Sequence, residues 1–118
     1  MRLNEVDFGV ARPIDGYGPS FFRVAGTVWD GAVAVLPSGV ALWSGYDDPA
    51  PLVAAAPDID ILFVGTGAET AHPPPGFRAA LEAAGIAVEA MATPAACRTY
   101  NVLLGEGRRV GAALLTVG

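Results

Sequence analysis

The sequence is poor in the residues from which metal sites and disulfides are built. Its 118 residues include one cysteine, Cys97, and one histidine, His72. A single cysteine cannot form an internal disulfide, and these two residues are too few for a Cys/His zinc site. We therefore expect neither a bound metal nor a disulfide within the chain.

Positive charge is also scarce. The chain has seven basic residues, all of them arginine, against twelve acidic ones, and its formal net charge is −5. An acidic chain without a basic run is poorly suited to nucleic acid or to an anionic membrane surface. The sequence therefore predicts no nucleic-acid partner.

Long hydrophobic runs are missing as well. No apolar stretch approaches the about 18 residues that a membrane-spanning helix requires. The chain begins with acids at Glu5 and Asp7 and lacks the apolar segment of a signal peptide. We expect no direct insertion into a membrane, and a cytoplasmic location.

The first half of the chain has the pattern of antiparallel strands. Hydrophobic residues make up 53% of the sequence, which is enough for the core of one domain over residues 1–118. Residues 1–20 are expected to be irregular, with an ordered loop at 14–19. Asp30-Gly31 between two apolar runs is a strong hairpin signal. The predicted meander has three strands, at residues 21–29, 32–36 and 40–44.

After residue 57 the pattern changes to alternating strands and helices. A short helical segment at 52–56 precedes this part. Strands are predicted at 59–64, 86–91 and 109–117, and helices at 77–84 and 94–104. Strands joined through helices pair in parallel by right-handed crossovers. The sequence therefore predicts an α/β fold, with a mixed sheet that combines the antiparallel meander and a β-α-β-α-β second half.

The turn Gly65-Thr66-Gly67 ends the predicted strand at 59–64. Ligands of open α/β sheets bind at the carboxyl ends of strands, where glycines let the backbone approach a phosphate. Position 70 is a threonine, however, and three prolines intervene before the next helix. The chain also has no lysine for a Walker motif, so both standard nucleotide motifs are disfavoured and no cofactor is expected. A tight turn that permits close packing is the favoured interpretation.

Cys97 lies near the start of the helix predicted at 94–104, beside Arg98. Helix N-termini and neighbouring cations lower the pKa of a thiol, which would suit a reactive cysteine. The helical wheel, however, places Cys97 on the apolar face with Tyr100 and Leu104. We therefore predict that Cys97 is a buried structural thiol rather than a nucleophile.

Arg98 and Asn101 lie beside that apolar face. If they project over the strand ends near Gly65 and Gly67, the guanidinium could hold a carboxylate or phosphate against glycine amides. Arg98 could equally pair with Asp58, Asp60 or a loop carbonyl. The sequence favours the structural role and leaves the ligand-binding role open.

Three segments carry a family resemblance: Ile14-Asp-Gly-Tyr-Gly18, Asp58-Ile-Asp-Ile-Leu-Phe-Val-Gly-Thr-Gly67, and a third that runs from Thr93 and contains Ala96-Cys-Arg-Thr-Tyr-Asn101. They resemble a small family whose bacterial and archaeal members carry a domain-of-unknown-function label. Its eukaryotic relatives include a mitochondrial respiratory complex I assembly factor and an adipogenesis-associated cytoplasmic protein. The resemblance covers nearly the whole chain and implies a compact three-layer α/β domain. The family signature residues are Gly65, Gly67, Cys97, Arg98, Thr99, Tyr100 and Asn101.

The resemblance implies no established enzymatic activity, and it provides no catalytic residue to transfer. We therefore favour a non-catalytic interaction domain that helps a protein complex to assemble, with a membrane-associated respiratory complex as one candidate. Four aromatic residues near strand ends would suit a protein partner if some of them are exposed together: Tyr17, Trp29, Trp43 and Tyr46. The alternative is binding of a small anion or carboxylate metabolite in a crevice formed by residues 65–67 with Arg98 and Asn101.

Overall fold

The computed structural model describes residues 12–118. The expectations for residues 1–11, namely irregular structure and the lack of a signal peptide, lie outside this range. Residues 12–118 contain eight strands and three helices. In chain order these are β1 (Ile14–Tyr17), β2 (Phe21–Val24), β3 (Thr27–Asp30), β4 (Val33–Leu36), β5 (Gly39–Leu42), α1 (Ala50–Ala54), β6 (Ile61–Gly65), α2 (Pro75–Ala83), β7 (Ala87–Met91), α3 (Thr93–Gly105) and β8 (Val110–Leu114).

The strands form two sheets. The small sheet contains β1, β2 and β3, which pair in sequence as antiparallel neighbours. The large sheet has the order β5-β4-β8-β6-β7. Within it β6 is parallel to both β7 and β8, whereas β4 is antiparallel to both β5 and β8. The predicted α/β class, the mixed sheet and the antiparallel start of the chain are thus confirmed.

The large sheet is the middle of three layers. Its side chains alternate between two faces, and each face is covered by other elements. In β4, Val33 and Val35 face one hydrophobic cluster while Ala34 and Leu36 face the other. Helices α1 and α2 cover the second of these faces, where Leu81 of α2 is fully buried. Helix α3 and the small sheet cover the first face together.

The second half of the chain follows the sequence prediction closely. Strand β6 is almost entirely buried, as expected for a parallel strand covered on both faces. Helix α2 buries Phe77 and Leu81 and exposes Arg78 and Glu82, which form an ion pair of 3.1 Å. The observed bounds of these elements differ from the predicted ones by only a few residues.

The first half differs in its details. The strand predicted at 21–29 is wrong, because Ala25 and Gly26 interrupt it as a two-residue turn between β2 and β3. Both residues have positive φ, 48° and 85°, as a type I′ hairpin turn requires. The predicted loop at 14–19 also contains a strand, β1, whose Asp15 carboxylate accepts a hydrogen bond from the Gly26 amide at 2.7 Å.

Asp30-Gly31 does not form the predicted hairpin. The chain passes there from β3 in the small sheet to β4 in the large sheet. The hairpin that was expected between residues 32–36 and 40–44 does exist, as the antiparallel pair of β4 and β5. The meander is therefore made by β1, β2 and β3, and the hairpin of β4 and β5 belongs to the large sheet.

Ala25 is the one non-glycine residue with positive φ among residues 12–118. The left-handed conformation costs an alanine roughly 1 kcal/mol, whereas asparagine tolerates it. We expect Ala25→Asn to raise the free energy of unfolding by about 0.5–1 kcal/mol, measured by urea denaturation. Ala25→Val is the control and should destabilise, because a β-branched side chain is worse in this conformation. Equal stability of the two variants would contradict the assigned turn.

Candidate functional site

The glycine turn at the end of β6 is closed by hydrogen bonds within the chain. The Thr66 amide donates to the Met91 carbonyl at 2.9 Å. The Gly67 amide donates to the Thr93 hydroxyl at 2.9 Å, and the Thr93 amide donates to the Gly67 carbonyl at 2.8 Å. The amides of Thr66 and Gly67 are therefore occupied, and neither points towards a free anion site.

The space beside this turn is filled. A Cβ atom on Gly65 would lie 2.7 Å from the Thr93 hydroxyl oxygen and 2.9 Å from a methyl carbon of Leu114. Gly67 has φ of +106°, which favours glycine for its backbone conformation. The two glycines thus permit close packing and a tight turn, the interpretation that the sequence favoured.

Thr93 is the residue that the turn packs against, and its role was missed. Helix α3 begins at Thr93, and Ala92 before it makes no side-chain cap. The Thr93 hydroxyl is fully buried and donates to the Leu115 carbonyl at 2.7 Å while it accepts from Gly67. One side chain therefore joins the ends of β6 and β8 to the start of α3.

Asn101 holds the small sheet rather than a ligand. Its side-chain oxygen accepts from the Ile14 amide at 2.9 Å, and its side-chain nitrogen donates to the Ile14 carbonyl at 2.7 Å. The neighbouring Tyr100 is buried, and its hydroxyl donates to the Arg12 carbonyl at 3.1 Å. These three bonds fasten β1 to α3, and both polar groups of the Asn101 side chain are used by them.

Arg98 and the half-buried Thr99 complete the predicted set. Arg98 is exposed and lines a cavity of about 310 Å³ together with Asp15, Cys97 and Asn101. Residues 65–67 do not line this cavity. Within residues 12–118, Asp60 is paired with Arg109 at 3.4 Å, not with Arg98. Binding of a small anion by Arg98 stays a prediction. The amides of Thr66 and Gly67 would not contribute to it, because they donate to Met91 and Thr93.

Cys97 lies on the buried face of α3, with 5% of its surface exposed. It packs in the cluster that also contains Tyr100, Val35 and Ala112. Burial raises the pKa of the Cys97 thiol from its ordinary 9.0 to about 11, and the Arg98 charge offsets only part of that rise. The thiol is therefore protonated at neutral pH, and a structural role remains the prediction for it.

The four aromatic residues do not form one exposed patch. Trp43 is buried and its ring centre lies 5.8 Å from those of both Tyr46 and Phe77, in the core beneath α2. Tyr17 belongs to the other side of the large sheet, where its ring centre lies 6.3 Å from that of Phe22. Packing thus separates Tyr17 from Trp43 and Tyr46, so the four residues are not all exposed together.

Three further properties concern the described part of the chain. His72 is exposed, in the proline-rich loop before α2. No group of three or more His, Cys, Asp and Glu side chains within residues 12–118 is placed to hold a metal ion. None of the helices between residues 12 and 118 has the length and apolar character needed to cross a bilayer.

Comparison with known proteins places this geometry in a wider group. A family model described as a protein of unknown function (DUF498/DUF598) matches residues 14–115. An uncharacterized protein of Rhodobacter capsulatus is 51% identical over 115 residues, which cover 98% of this chain and 93% of the relative. NADH dehydrogenase (ubiquinone) 1 alpha subcomplex assembly factor 3 of Bos taurus is 39% identical over 122 residues, which cover 98% of this chain and 66% of the relative. The crystal structure of an outer membrane protein from Bartonella henselae superposes with a TM-score of 0.83 at 35% identity, covering 91% of this chain and 96% of that one.

The pair of hydrogen bonds between Asn101 and the Ile14 backbone, here called the Asn101 clamp, predicts a large loss of stability from an isosteric substitution. Asn101→Asp keeps the shape and the acceptor for the Ile14 amide, but it loses the donor and sets a carboxylate against the Ile14 carbonyl. We expect a loss of about 2–3 kcal/mol in the free energy of unfolding at pH 7. Val102→Ala is the control, since Val102 is 58% exposed and should cost no more than about 0.5 kcal/mol. Equal stability of wild type and Asn101→Asp would show that the clamp is not formed.

The buried thiol predicts slow alkylation. Iodoacetamide should label Cys97 far more slowly in the folded protein than in denaturant, because attack requires an exposed thiolate. Equal rates in the two states would show that the thiol is accessible. Cys97→Ala should cost about 1–2 kcal/mol of stability at neutral pH, as a small truncation in the core.

The raised pKa of the Cys97 thiol also predicts how the contribution of this residue to stability depends on pH. The unfolded chain releases this proton near pH 9, whereas the folded protein keeps it until about pH 11. The contribution of Cys97 to stability should therefore be complete below pH 9 and decline between pH 9 and 11. Burial also raises the pKa of Tyr100, to about 12, so this residue contributes to the decline as well. Cys97→Ala should lack only the part that is due to the thiol, and the difference between the two stability curves therefore gives the contribution of Cys97.

Proposed function

The chain belongs to the DUF498/DUF598 family, and on that premise we propose that it is a non-catalytic interaction domain that helps a protein complex to assemble. The observation that carries the proposal is the match over 98% of this chain to a bovine protein described as an NADH dehydrogenase assembly factor. The chain spans 66% of the length of that relative. The shared part is thus the α/β domain described above, and assembly by this domain is our inference.

The use of the signature residues supports the proposal. Gly65 packs against Thr93 where β6, β8 and α3 meet, Cys97 and Tyr100 fill the core beneath the small sheet, and Asn101 fastens β1. Catalytic side chains need a reacting group within reach, but these polar groups are bonded within the protein. Tyr100 and Asn101 maintain the fold, whereas Arg98 is exposed, so function is left to the surface, as in a domain whose task is to bind other proteins.

The surface has apolar groups that a partner could cover. Leu42 is 60% exposed, Val102 58% and Val28 45%. Scattered apolar side chains are common on protein surfaces, and the buried core of a protein interface is built largely from such groups. The finer proposal is that the partner belongs to a membrane-associated respiratory complex of the NADH dehydrogenase type, and that this chain meets it from the cytoplasm.

Assembly of that complex in the native organism tests the proposal. A strain without this gene should contain less fully assembled NADH dehydrogenase on native gels, and expression of the wild-type chain should restore it. An affinity-tagged chain, crosslinked in cells, should capture subunits of the same complex.

A second respiratory complex on the same gel is the control, and its amount should not change. Normal levels of assembled NADH dehydrogenase in the deletion strain, with no subunit captured above a tag-only background, would overturn the proposal. Turnover of a small molecule by the purified chain would also contradict the non-catalytic role.

A further inference from the structure

Strand β5 is an open edge of the large sheet. Within residues 12–118 it pairs only with β4. The Trp43 amide donates to the Ala32 carbonyl at 2.8 Å, which sets the alternation of the ladder. In an antiparallel pair, residues two apart have the same orientation, so Ala41 also faces β4. The backbone groups of Val40 and Leu42 therefore point outward, away from the sheet.

This edge is short, at four residues, but it lacks the side chains and the bulge that often block one. Exposed edges are commonly blocked by charged side chains, proline or a bulge. The sequence of β5 is Gly-Val-Ala-Leu, with none of these, and its register with β4 is regular. Its last residue, Leu42, is 60% exposed. Such an edge is suited to accept another strand.

A cavity lies on each face of the large sheet beside β5. The cavity on the α1 side has a volume of about 290 Å³ and is lined by Leu36, Trp43 and Pro51. The cavity on the small-sheet side also has a volume of about 290 Å³ and is lined by Arg12 and Trp29. Successive side chains of a strand point to opposite faces. A strand added to β5 would therefore direct alternate side chains towards the two cavities.

The chemistry of the two cavities differs. On the α1 side the named walls are apolar. On the small-sheet side, Arg12 Nε and Trp29 Nε1 are buried and have no hydrogen-bond partner in the described part of the protein. Buried donors are rarely left unpaired, because they lose their hydrogen bonds to water. Both groups are N–H donors and one is cationic, and the natural complement of that pair is a carboxylate.

We propose that β5 binds an extended segment of a partner protein that carries an acidic side chain. The segment pairs with the outward backbone groups of Val40 and Leu42. Its Asp or Glu accepts hydrogen bonds from Arg12 and Trp29, and a neighbouring apolar side chain enters the cavity beside Trp43. This inference rests on the interaction role proposed above and specifies the surface and the chemistry of the partner.

Selection of peptides on the full-length protein tests the inference. Random ten-residue peptides displayed on phage should yield binders with alternating apolar residues and one Asp or Glu at a fixed position. Synthetic versions of these peptides should bind Leu42→Pro at least about tenfold more weakly than wild type, because proline removes an outward N–H. Leu42→Ala retains that N–H and is the matched control. In ¹⁵N spectra the peptide should shift the indole signal of Trp29.

A double-mutant cycle tests the carboxylate contact. Trp29→Phe keeps an aromatic ring but removes the indole donor, and Arg12→Gln removes the charge. Changing the peptide acid to its amide should weaken binding to wild type by roughly tenfold or more. The same change should have little further effect on the protein that carries both substitutions, because the interacting groups are then absent. Peptides methylated at the amides that pair with β5 should also bind weakly, which tests the strand contact without altering the protein.

Several results would overturn the inference. Binders without an acidic residue, failure to select any binder, or unchanged binding to folded Leu42→Pro would each do so. Succinate alone shifting the Trp29 indole as strongly as the peptide would indicate a small-molecule site. A wild-type dimer that becomes monomeric in Leu42→Pro would mean that a second copy occupies the edge.

The inference and the proposed function can fail separately. If the NADH dehydrogenase subunits are captured equally well by wild type and Leu42→Pro, the assembly role stands and the β5 site falls. If acidic peptides bind β5 as described but deletion of the gene leaves the complex intact, the site stands and the assembly role falls.

Discussion

The fold depends on the buried hydroxyl of Thr93. It lies where β6, α3 and β8 meet, and it both accepts a hydrogen bond from Gly67 and donates one to Leu115. Either of those backbone groups, if left unpaired in the core, would cost about 1–3 kcal/mol. The hydroxyl can reach both only because residue 65 is a glycine, since a Cβ there would lie 2.7 Å from it. Gly65 and Thr93 are therefore two halves of one packing arrangement.

Helix α3 extends this arrangement to the small sheet. Thr93 at its first position ties it to the large sheet, and Tyr100 and Asn101 two turns later tie it to the backbone of Arg12 and Ile14. The helix is thus hydrogen-bonded to the large sheet at its start and to the start of the small sheet two turns later. The polar groups of Thr93, Tyr100 and Asn101 are thereby used in holding the fold together.

The sequence predicted those parts of the fold in which local pattern and final environment agree. Strand β6 is one example, because a short, continuous apolar run packs as a strand that is buried on both faces. Helix α2 is another, because an apolar stripe with a period of 3.6 residues packs as one buried helix face. The turn at Ala25 was missed because nothing in an alanine indicates positive φ. Asp30-Gly31 misled for the opposite reason, since a strong turn signal is also suitable for a crossing between sheets.

The candidate site shows the same division. Burial of Cys97 could be read from the helical wheel, because its neighbours along one helix determine it. The partner of Asn101 could not, since Ile14 lies 87 residues away in sequence and offers only its backbone. The unpaired donors of Arg12 and Trp29 were equally hidden, because they share a cavity only after the two sheets have packed.

The long separation between Ile14 and Asn101 has a consequence for synthesis of the protein in the cell. Ile14 of β1 leaves the ribosome 87 residues ahead of Asn101, the side chain that fastens it. At usual elongation rates of about 5–20 residues per second, that interval is roughly 4–17 seconds. During it the apolar face of the small sheet, with Phe22 and Val24, has neither α3 nor β8 to cover it. A nascent chain that has already formed the small sheet therefore keeps this face without its α3 and β8 contacts until those elements are made.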